Sequence, residues 1–492
     1  MTESLPPEDP RDARVRELEA QVAALTALVA ELRGQLDAAL RKASRNSGNS
    51  SMPPSSDDLP GRKPPARRER RAAERAEKKR GRGKQPGSPG AAMRWRRPDE
   101  VLHHYPQGAC DCGRDLADAA DLGVARSYQQ EDVPEPQRSR RYQHDLHEGL
   151  CACGRVHVAP RPDGVPDAPL SVGPRLSAMA VYLMVFQHVP VERAQQLISD
   201  LTGGVLSAGF VHSCLGKAAG LVKDAVRLIR TLIAASPVAG FDETTLRSGP
   251  AGEKKYVHGA FTELYSAFHL GTRSIETMKE AGILPFFAGI AVTDRYKGYF
   301  SETWAGLAGH QACAAHLIRD FADCGETYPG AGWPEQAQRA LRGLIRAWQA
   351  AREQGLPAIP AGTREALELE FRRAVTVGLS AVPRVPGPKN AVKQKPGREM
   401  LEFCRDRRDD VLRFTTDTTI WPTNNISERG VRPLKTQQKI SGRLTSDDVT
   451  QDRLDIRSYI DTARKHGLAA YDVLCQLMTG NPWLPPAQPI SP

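Results

Sequence analysis

The sequence lacks long hydrophobic runs, a signal peptide and a paired set of cysteines. None of its apolar runs reaches the about 18 residues that a membrane-spanning helix needs. Its first residues, MTESLPPEDP, are acidic and proline-bearing, unlike the basic and apolar regions of a secretory leader. Nine cysteines, an odd number, fit a reduced compartment with a metal site better than a disulfide framework. We therefore expect a soluble, cytoplasmic protein with no membrane partner.

The length and composition indicate several structural units. A chain of 492 residues is too long for one hydrophobic core and should hold three or more units. An apolar content of 40% supplies ample core, whereas 38 prolines and 42 glycines place much of the chain in turns or linkers. The expected fold class is multidomain α+β.

Positive charge is concentrated in one stretch. Residues 62–84 contain twelve basic and three acidic residues, and so carry nine of the ten net positive charges. Serine, asparagine, proline and glycine surround this stretch, which predicts a disordered basic linker over residues 44–94. Such an arm neutralises DNA phosphates without reading sequence, although a solvated linker that does little is the alternative. The candidate DNA contacts in it are Arg67, Arg68, Lys78, Lys79 and Arg80.

Upstream of the linker, apolar residues follow a heptad pattern. The spacings alternate between three and four from Val15 to Leu36, with leucine at the d positions. This combination favours a two-stranded parallel coil, so we predict a coiled-coil dimerisation helix over residues 14–43. One amphipathic helix packed on its own chain is the alternative.

Two C-x-C-G sequences follow the linker. Four thiolates on two turns suit a closed tetrahedral Zn²⁺ site, which predicts a zinc-binding domain over residues 95–165. The candidate ligands are Cys110, Cys112, Cys151 and Cys153. His103, His104, His144 and His147 lie close enough in the sequence to substitute as ligands, and ordinary buried thiols are the alternative.

Residues 166–235 have a helical pattern. Two helices around the glycine pair Gly203 and Gly204 predict either a helix-turn-helix that enters a DNA groove or a plain helical hairpin.

The next segment carries candidate catalytic residues. The stretches SPVAGFDETTLR, KKYVHGAFTE and YSAFHLG predict three strands, SIETMKEAGILPFFAGI predicts a helix, and AVTD predicts a fourth strand. Asp242 lies on the first strand, and Asp294 ends the fourth. Adjacent strand ends can bring these carboxylates together, where they would repel each other unless a cation bridged them. Oxygen ligands of this kind select Mg²⁺ or Mn²⁺.

A third carboxylate follows in the stretch TNNISER. With Asn425 as the N-cap, Glu428 falls at the third helical position and can form a capping box. Alternatively, Glu428 completes a metal site with the two aspartates. The basic residues that follow it, Arg429, Arg432 and Lys435, can grip the phosphates beside a scissile bond or form a solvated face, and Pro433 should bend or weaken the helix.

A separation of 134 residues between Asp294 and Glu428 is too long for one fold element. Helical patterns within it predict a helical insertion at about residues 330–400. Residues 446–492 predict a C-terminal helical segment.

Several motifs resemble the insertion-sequence 66 family of DDE transposases, and the strand order with its acidic residues resembles the ribonuclease H fold. The resemblance covers nearly the whole chain, and its most specific motifs are FDET, TDRYKGY, CAAHLIRDF, TNNISERGVRPLKTQQKISG and RSYIDTARKHG. It differs where Arg295 follows Asp294, because the family often has glycine there. Cys313 and His316 match a C-x-x-H element that such families carry.

The resemblance implies a ribonuclease H-like catalytic domain over residues 236–445 with Asp242, Asp294 and Glu428 as the catalytic triad. Two Mg²⁺ (or Mn²⁺) ions per active site would serve cleavage at the element's ends and joining of the freed end to target DNA. It also implies action as a homodimer or a higher synaptic assembly on the DNA of a bacterial nucleoid, with small accessory proteins as further partners. A metal-dependent nuclease on the same fold and a DNA-binding regulator without catalysis are the alternatives. If Glu428 only caps a helix, Glu243 and Glu302 are the next candidate ligands.

Overall fold

The computed structural model describes residues 10–44, 95–132, 138–165, 167–168, 170–250, 253–387 and 393–487. The five candidate DNA contacts of the basic linker lie outside these ranges. The chain is a mixed α/β protein in which helices surround one mixed sheet. The α and β character expected from the sequence is therefore confirmed at this level.

The N-terminal helix α1 spans Pro10–Ser44, slightly more than the predicted residues 14–43. Its heptad residues are exposed along the part whose side chains are described, with exposed fractions between 46% at Leu18 and 62% at Val22. This apolar row therefore contacts no other part of its own chain that the structure describes.

The region of the C-x-C-G sequences holds little regular structure. Strands β1 (Glu148–Leu150) and β2 (Val156–Val158) form an antiparallel hairpin around the second sequence. Both sequences fold in the same way, because the N–H of Cys110 donates to the carbonyl of Arg114 and that of Cys151 donates to the carbonyl of Arg155, each at 2.8 Å. The glycine of each turn has a positive φ, which a glycine adopts without strain.

Three helices follow, α2 (Pro174–Val181), α3 (Val191–Thr202) and α4 (Ala208–Ala234), with a π-helical turn at Tyr182–Phe186. Gly203 ends α3 in the left-handed conformation, and the Ser207 hydroxyl accepts a hydrogen bond at the start of α4. The predicted pair of helices around the glycine turn is therefore present. Helix α4 has 27 residues, and one of its faces is buried in the hydrophobic core.

A five-stranded sheet forms the centre of the fold. Its order is β5-β4-β3-β6-β7. Strands β5, β4 and β3 pair antiparallel, whereas β6 and β7 run parallel to β3. The strands are β3 (Val238–Leu246), β4 (Lys255–Phe261), β5 (Ser266–Gly271), β6 (Ile290–Thr293) and β7 (Gly309–Ala312). The four predicted strands are present, and β7 was not predicted. The helix predicted after β5 is short, because α5 (Ile275–Glu280) ends before Gly282, which has a positive φ.

Helices between β7 and the last helices form a layer that packs against the sheet. They are α6 (Ala314–Thr327), α7 (Trp333–Glu353), α8 (Ala361–Ala381), α9 (Arg398–Asp406) and α10 (Arg408–Leu412). Their apolar faces share a core that includes Phe321, Leu344 and Phe371. The predicted insertion at about 330–400 thus corresponds to α7, α8 and the segment that leads into α9.

The last helices are α11 (Asn425–Ile440), α12 (Asp447–Lys465) and α13 (Ala470–Met478). Residues of α12 and α13, among them Tyr459 and Leu474, share one hydrophobic core with α2, α3 and α4. Hydroxyls of α12 also bond the backbone of β5, where Ser458 accepts from the Phe268 N–H at 3.0 Å. Segments more than 200 residues apart in the sequence therefore form one hydrophobic core. No helix in the described ranges has both the length and the apolar character needed to cross a membrane.

Candidate active site

The two aspartates lie next to each other at the centre of the sheet. Strands β3 and β6 pair in parallel with Gly240 opposite Val292, so Asp242 and Asp294 each lie two residues beyond the same pair. Both carboxyls are buried, and burial together with the neighbouring carboxylates Glu243, Asp294 and Glu428 raises the pKa of Asp242 well above its usual range. Burial and the charge of Glu243 raise the pKa of Asp294 to about 6. Such shifts are typical of carboxylates that lie close together in a partly buried site.

Helix α11 brings Glu428 to this pair. Its N-cap is Asn424, one residue earlier than the sequence suggested, and the Asn424 side chain makes no capping bond. It donates instead to the carbonyl of Phe241 at 2.8 Å, while its backbone N–H donates to the Sγ of Cys313 at 3.2 Å. Gly240 permits this approach, because a Cβ there would lie 2.3 Å from the Ser427 hydroxyl. The start of α11 is therefore fastened to the strand that carries Asp242.

The Glu428 side chain does not form a capping box. Its Oε1 lies 3.3 Å from a guanidinium nitrogen of Arg319 and 3.7 Å from the Nδ1 of His316. The carboxylate is close enough to the aspartates to raise the pKa of Asp242. The side chain is therefore directed at Arg319 and His316 and not at the start of the helix. The oxygens of Asp242, Asp294 and Glu428 do not all lie within 4.8 Å of one another in the described structure, and we call these three carboxylates around the β3–β6 pair the acidic cluster.

The C-x-x-H element lies directly behind Glu428. Within the described residues, Cys313, His316 and Glu428 are the one group of three potential ligand residues whose atoms lie within 4.8 Å of one another. Burial raises the pKa of the Cys313 thiol to about 11, and burial together with the nearby Arg319 lowers the pKa of His316 to about 3. Cys313 already accepts the Asn424 N–H, and Glu428 is already paired with Arg319. We read this group as a support for Glu428.

Glu243 makes contacts that could not be inferred from the sequence. Its Oε1 accepts a hydrogen bond from the Nε of Arg273 at 2.7 Å, and its Oε2 accepts one from the Tyr299 hydroxyl at 2.7 Å. Both oxygens are thus already bound by protein groups. Glu302 is exposed in a short turn. Glu243 raises the pKa of both aspartates and so lies close to them, and the assignment of Glu428 as the third ligand stays a prediction.

Basic residues flank the acidic cluster on α11. Burial lowers the pKa of Lys435, and the charges of Asp242 and Glu428 oppose that shift. Lys435 therefore lies beside the carboxylates. Arg432 is close enough to affect the same pKa and is exposed, as is Arg429. The helix continues through Pro433, so these side chains keep helical spacing, and Arg432 and Lys435 remain on the side of the helix that carries Glu428.

The four cysteines of the C-x-C-G sequences, here called the knuckle cysteines, are exposed. No three of them lie within 4.8 Å of one another in the described structure. Hydrogen bonds from within each turn lower the pKa of Cys110 and of Cys151, which favours the thiolate form that metals bind. The zinc site stays a prediction.

Comparison with known proteins bears on the whole arrangement. The family model described as "Transposase IS66 family" matches residues 170–452, more than half of the chain. The chain belongs to the IS66 transposase family. The match contains Asp242, Asp294 and Glu428 together with Arg319, His316 and Lys435, so the IS66 region includes the complete acidic cluster. The match ends within α12, although α12 and α13 share one hydrophobic core with α2, α3 and α4.

Two further matches are less informative. Residues 5–94 match a model described as "Family of unknown function (DUF6444)", which contains α1 and the basic linker. A protein of Sinorhizobium fredii (strain NBRC 101917 / NGR234), described as "Uncharacterized protein y4qI", is 26% identical over 203 residues. That match covers 39% of this IS66 chain and 36% of the Sinorhizobium protein.

Proposed function

We propose that this IS66-family protein is a DDE transposase, which binds the ends of an insertion sequence and catalyses cleavage and strand transfer of DNA. The observation that carries the proposal is the cluster of Asp242, Asp294 and Glu428, contributed by two adjacent parallel strands and one helix. The sheet order, with three antiparallel strands and two further parallel ones, is what a ribonuclease H-like core over residues 236–445 requires.

The cluster fits divalent cations of the Mg²⁺ or Mn²⁺ type. All three side chains offer hard carboxylate oxygens, and the raised pKa values of both aspartates show negative charge that the protein only partly neutralises. Two ions held by Asp242, Asp294 and Glu428 would supply activation of the attacking oxygen and stabilisation of the leaving oxygen in an in-line displacement.

The chain's own groups bind and orient around this centre. Arg319 holds the Glu428 carboxylate from behind at 3.3 Å, as residues beyond the direct ligands commonly orient them, and the neutral His316 ring lies 3.7 Å from it. Lys435 and Arg432 lie where they can hold the phosphates on either side of the scissile bond. Asp242 and Asp294 are partly buried, and electrostatic interactions there are stronger than in water.

The remaining regions complete the proposal. Helix α1 joins two copies into a homodimer or a larger synaptic assembly, and the basic linker holds DNA without reading its sequence. The four knuckle cysteines bind a structural Zn²⁺ ion. We also propose that the protein works on nucleoid DNA in the bacterial cytoplasm, with small accessory proteins as further partners.

The decisive experiment compares charge-neutralised variants. Glu428→Gln, Asp242→Asn and Asp294→Asn should each abolish Mg²⁺-dependent cleavage and strand transfer of a labelled element end, because each removes one charge from the site that holds the cations. Folding and end binding should persist in all three. Arg432→Ala should instead weaken end binding and make it less dependent on salt, because it removes a phosphate contact.

Glu302→Gln is the matched control, since it neutralises an exposed glutamate eight residues after Asp294 in the sequence and should cut at the wild-type rate. Melting and binding curves for every variant separate lost chemistry from lost structure. Glu428→Gln protein that still cuts at a near wild-type rate would show that the third ligand has been assigned wrongly.

A further inference from the structure

A cluster of aromatic rings and cations lies beside the acidic site and is not used by the cleavage chemistry above. The guanidinium carbon of Arg273 lies 3.9 Å from the centre of the Tyr296 ring and 5.9 Å from that of the Tyr256 ring. The Lys254 ammonium lies 5.3 Å from the centre of the Tyr256 ring. Arg273 is 40% exposed, Lys254 is exposed and both tyrosines are half-buried, so solvent reaches this cluster.

The cluster is held in place by specific bonds. Glu243 is buried, and it fixes the plane of the Arg273 guanidinium through two nitrogens, Nε at 2.7 Å and a terminal one in closer contact. The Tyr296 hydroxyl donates to the backbone carbonyl of Arg273 at 3.0 Å, which fixes the ring beneath the guanidinium. A planar cation stacked on an aromatic ring is therefore already formed.

The same bonds connect the cluster to the candidate catalytic residues. The backbone N–H of Tyr296 donates to the Oδ1 of Asp294 at 2.8 Å, so the ring is two residues from an active-site carboxylate and tied to it. Glu243, which holds Arg273, directly follows Asp242 in β3. Whatever lies on the cluster is therefore next to the bond that the acidic site would cleave.

The chemistry of the cluster selects its ligand. Aromatic and guanidinium planes stack on the flat face of a nucleobase, and the two cations attract the phosphates that flank it. A base within a duplex has both faces covered by its neighbours, so only an unpaired base can use such a surface. We propose that Tyr256, Arg273 and Tyr296 form a platform on which an unpaired DNA base beside the scissile phosphate stacks. The proposal rests on the proposed function in taking DNA as the substrate.

The first test needs no cleavage. Full-length protein is mixed, without divalent metal, with an oligothymidylate that contains one photoreactive iododeoxyuridine, and irradiated. Cross-links should map to Tyr256 or Tyr296, and the same strand annealed to its complement should give far fewer. Cross-links that map only to other parts of the chain would overturn the platform.

The second test measures affinity for the same oligothymidylate at high salt, which suppresses backbone contacts made by basic residues elsewhere. Loss of one stacked base should weaken binding roughly five- to a hundredfold in Tyr256→Ala or Tyr296→Ala. Tyr256→Phe keeps its ring and should bind like wild type. Arg273→Lys keeps the charge but not the planar group, and should also weaken binding. It tests the platform independently if an alanine variant fails to fold.

Arg352→Lys is a matched control. Arg352 also stacks on an aromatic ring, Trp348, and also pairs with a glutamate, Glu263, but it lies in the helical insertion. This variant should bind like wild type. Ring-removing variants that bind as tightly as wild type would overturn the platform even if the protein cuts element ends. Ring-dependent cross-links in a protein that cuts no end would uphold the platform and remove the proposed catalytic function.

Discussion

At the scale of single residues, the acidic cluster creates a conflict between folding and function. Asp242 and Asp294 are buried beside other carboxylates, where neither would ionise readily without a cation. The protein therefore contains charges that oppose its own stability, which is typical of catalytic sites.

This conflict predicts a stabilising variant. The folded pKa of Asp294 is about 6, above the ordinary 3.8, so the folded state holds this proton more tightly than the unfolded state does. Its contribution to stability is therefore full below the ordinary pKa and is lost as the pH rises through about 6. At neutral pH and with a chelator present, Asp294→Asn should be more stable than wild type by on the order of 2–3 kcal/mol, since the asparagine oxygen still accepts the Tyr296 N–H.

Denaturant unfolding across the acidic range tests this. The advantage of the Asp294→Asn variant should shrink as the pH falls from 6 towards 3.8, and Glu302→Gln should show no such trend. An asparagine variant less stable than wild type at neutral pH would mean that the ionised Asp294 carboxylate does not destabilise the folded state.

Some site residues could be found from the sequence and others could not. Asp242 and Asp294 follow apolar strand patterns, so their positions on strands were predictable from the sequence, although Asp242 lies within β3 and not at its end. The partners of Glu428 were not, because Arg319 and His316 lie on a helix more than 100 residues earlier and nothing in α6 marks that contact. The pairing of Glu243 with Arg273 and Tyr299 was hidden for the same reason.

At the scale of elements, α11 depends on small residues to lie close to the sheet. A Cβ at Gly430 would lie 2.2 Å from the ring of Phe261, and one at Gly240 would meet Ser427. Glycine is normally unfavourable inside a helix, so its presence at position 430 serves the packing of the helix that carries Glu428.

Two glycine-to-alanine variants separate the packing role of Gly430 from the general cost of glycine inside a helix. Gly430→Ala should destabilise the protein by roughly 1–3 kcal/mol through overpacking against Phe261, and should slow cleavage by displacing Glu428. Gly216→Ala, also inside a helix but with no atom within 4 Å of the added carbon, should stabilise by about 0.5–1 kcal/mol. Thermal melts of both variants, with cleavage rates beside them, test the pair. Equal shifts in the same direction would show that the Phe261 contact does not control the helix.

Helix α1 allows a second prediction at this scale. Leu25 and Leu32 are 60% and 53% exposed in the single chain, so lysine at both positions should leave the folded chain intact. If the heptad row joins two copies, the double variant should be monomeric by light scattering while wild type is dimeric. Dimers that survive the double substitution would place the interface elsewhere.

Local pattern also explains which elements were missed. Strand β7 reads GHQA and has no alternating apolar signal, so it could not be recognised in the sequence. It is a strand because it pairs with β6 and because Gln311 binds backbone groups of α10 and the following turn. The long amphipathic helices α4, α7 and α8 were predictable, since each repeats its apolar residues at helical spacing over several turns.

At the scale of the whole molecule, the two ends of the IS66 region depend on each other. Buried residues of α12 and α13 line the same core as those of α2, α3 and α4. A chain that ends at residue 446 should therefore expose this core and aggregate, as judged by solubility and size-exclusion chromatography. A chain that begins at residue 95 loses more residues but should melt at the wild-type temperature. A soluble, cooperatively folded product ending at residue 446 would contradict the shared core.

The order in which this core is assembled has a consequence for protein synthesis. Helices α2 to α4 leave the ribosome long before α12 and α13, which complete their core more than 200 residues later. At about 5–20 residues per second, the interval is on the order of tens of seconds, during which an apolar surface has no partner in its own chain. Because α11 emerges just before α12, the three carboxylates also come together only when translation is almost finished.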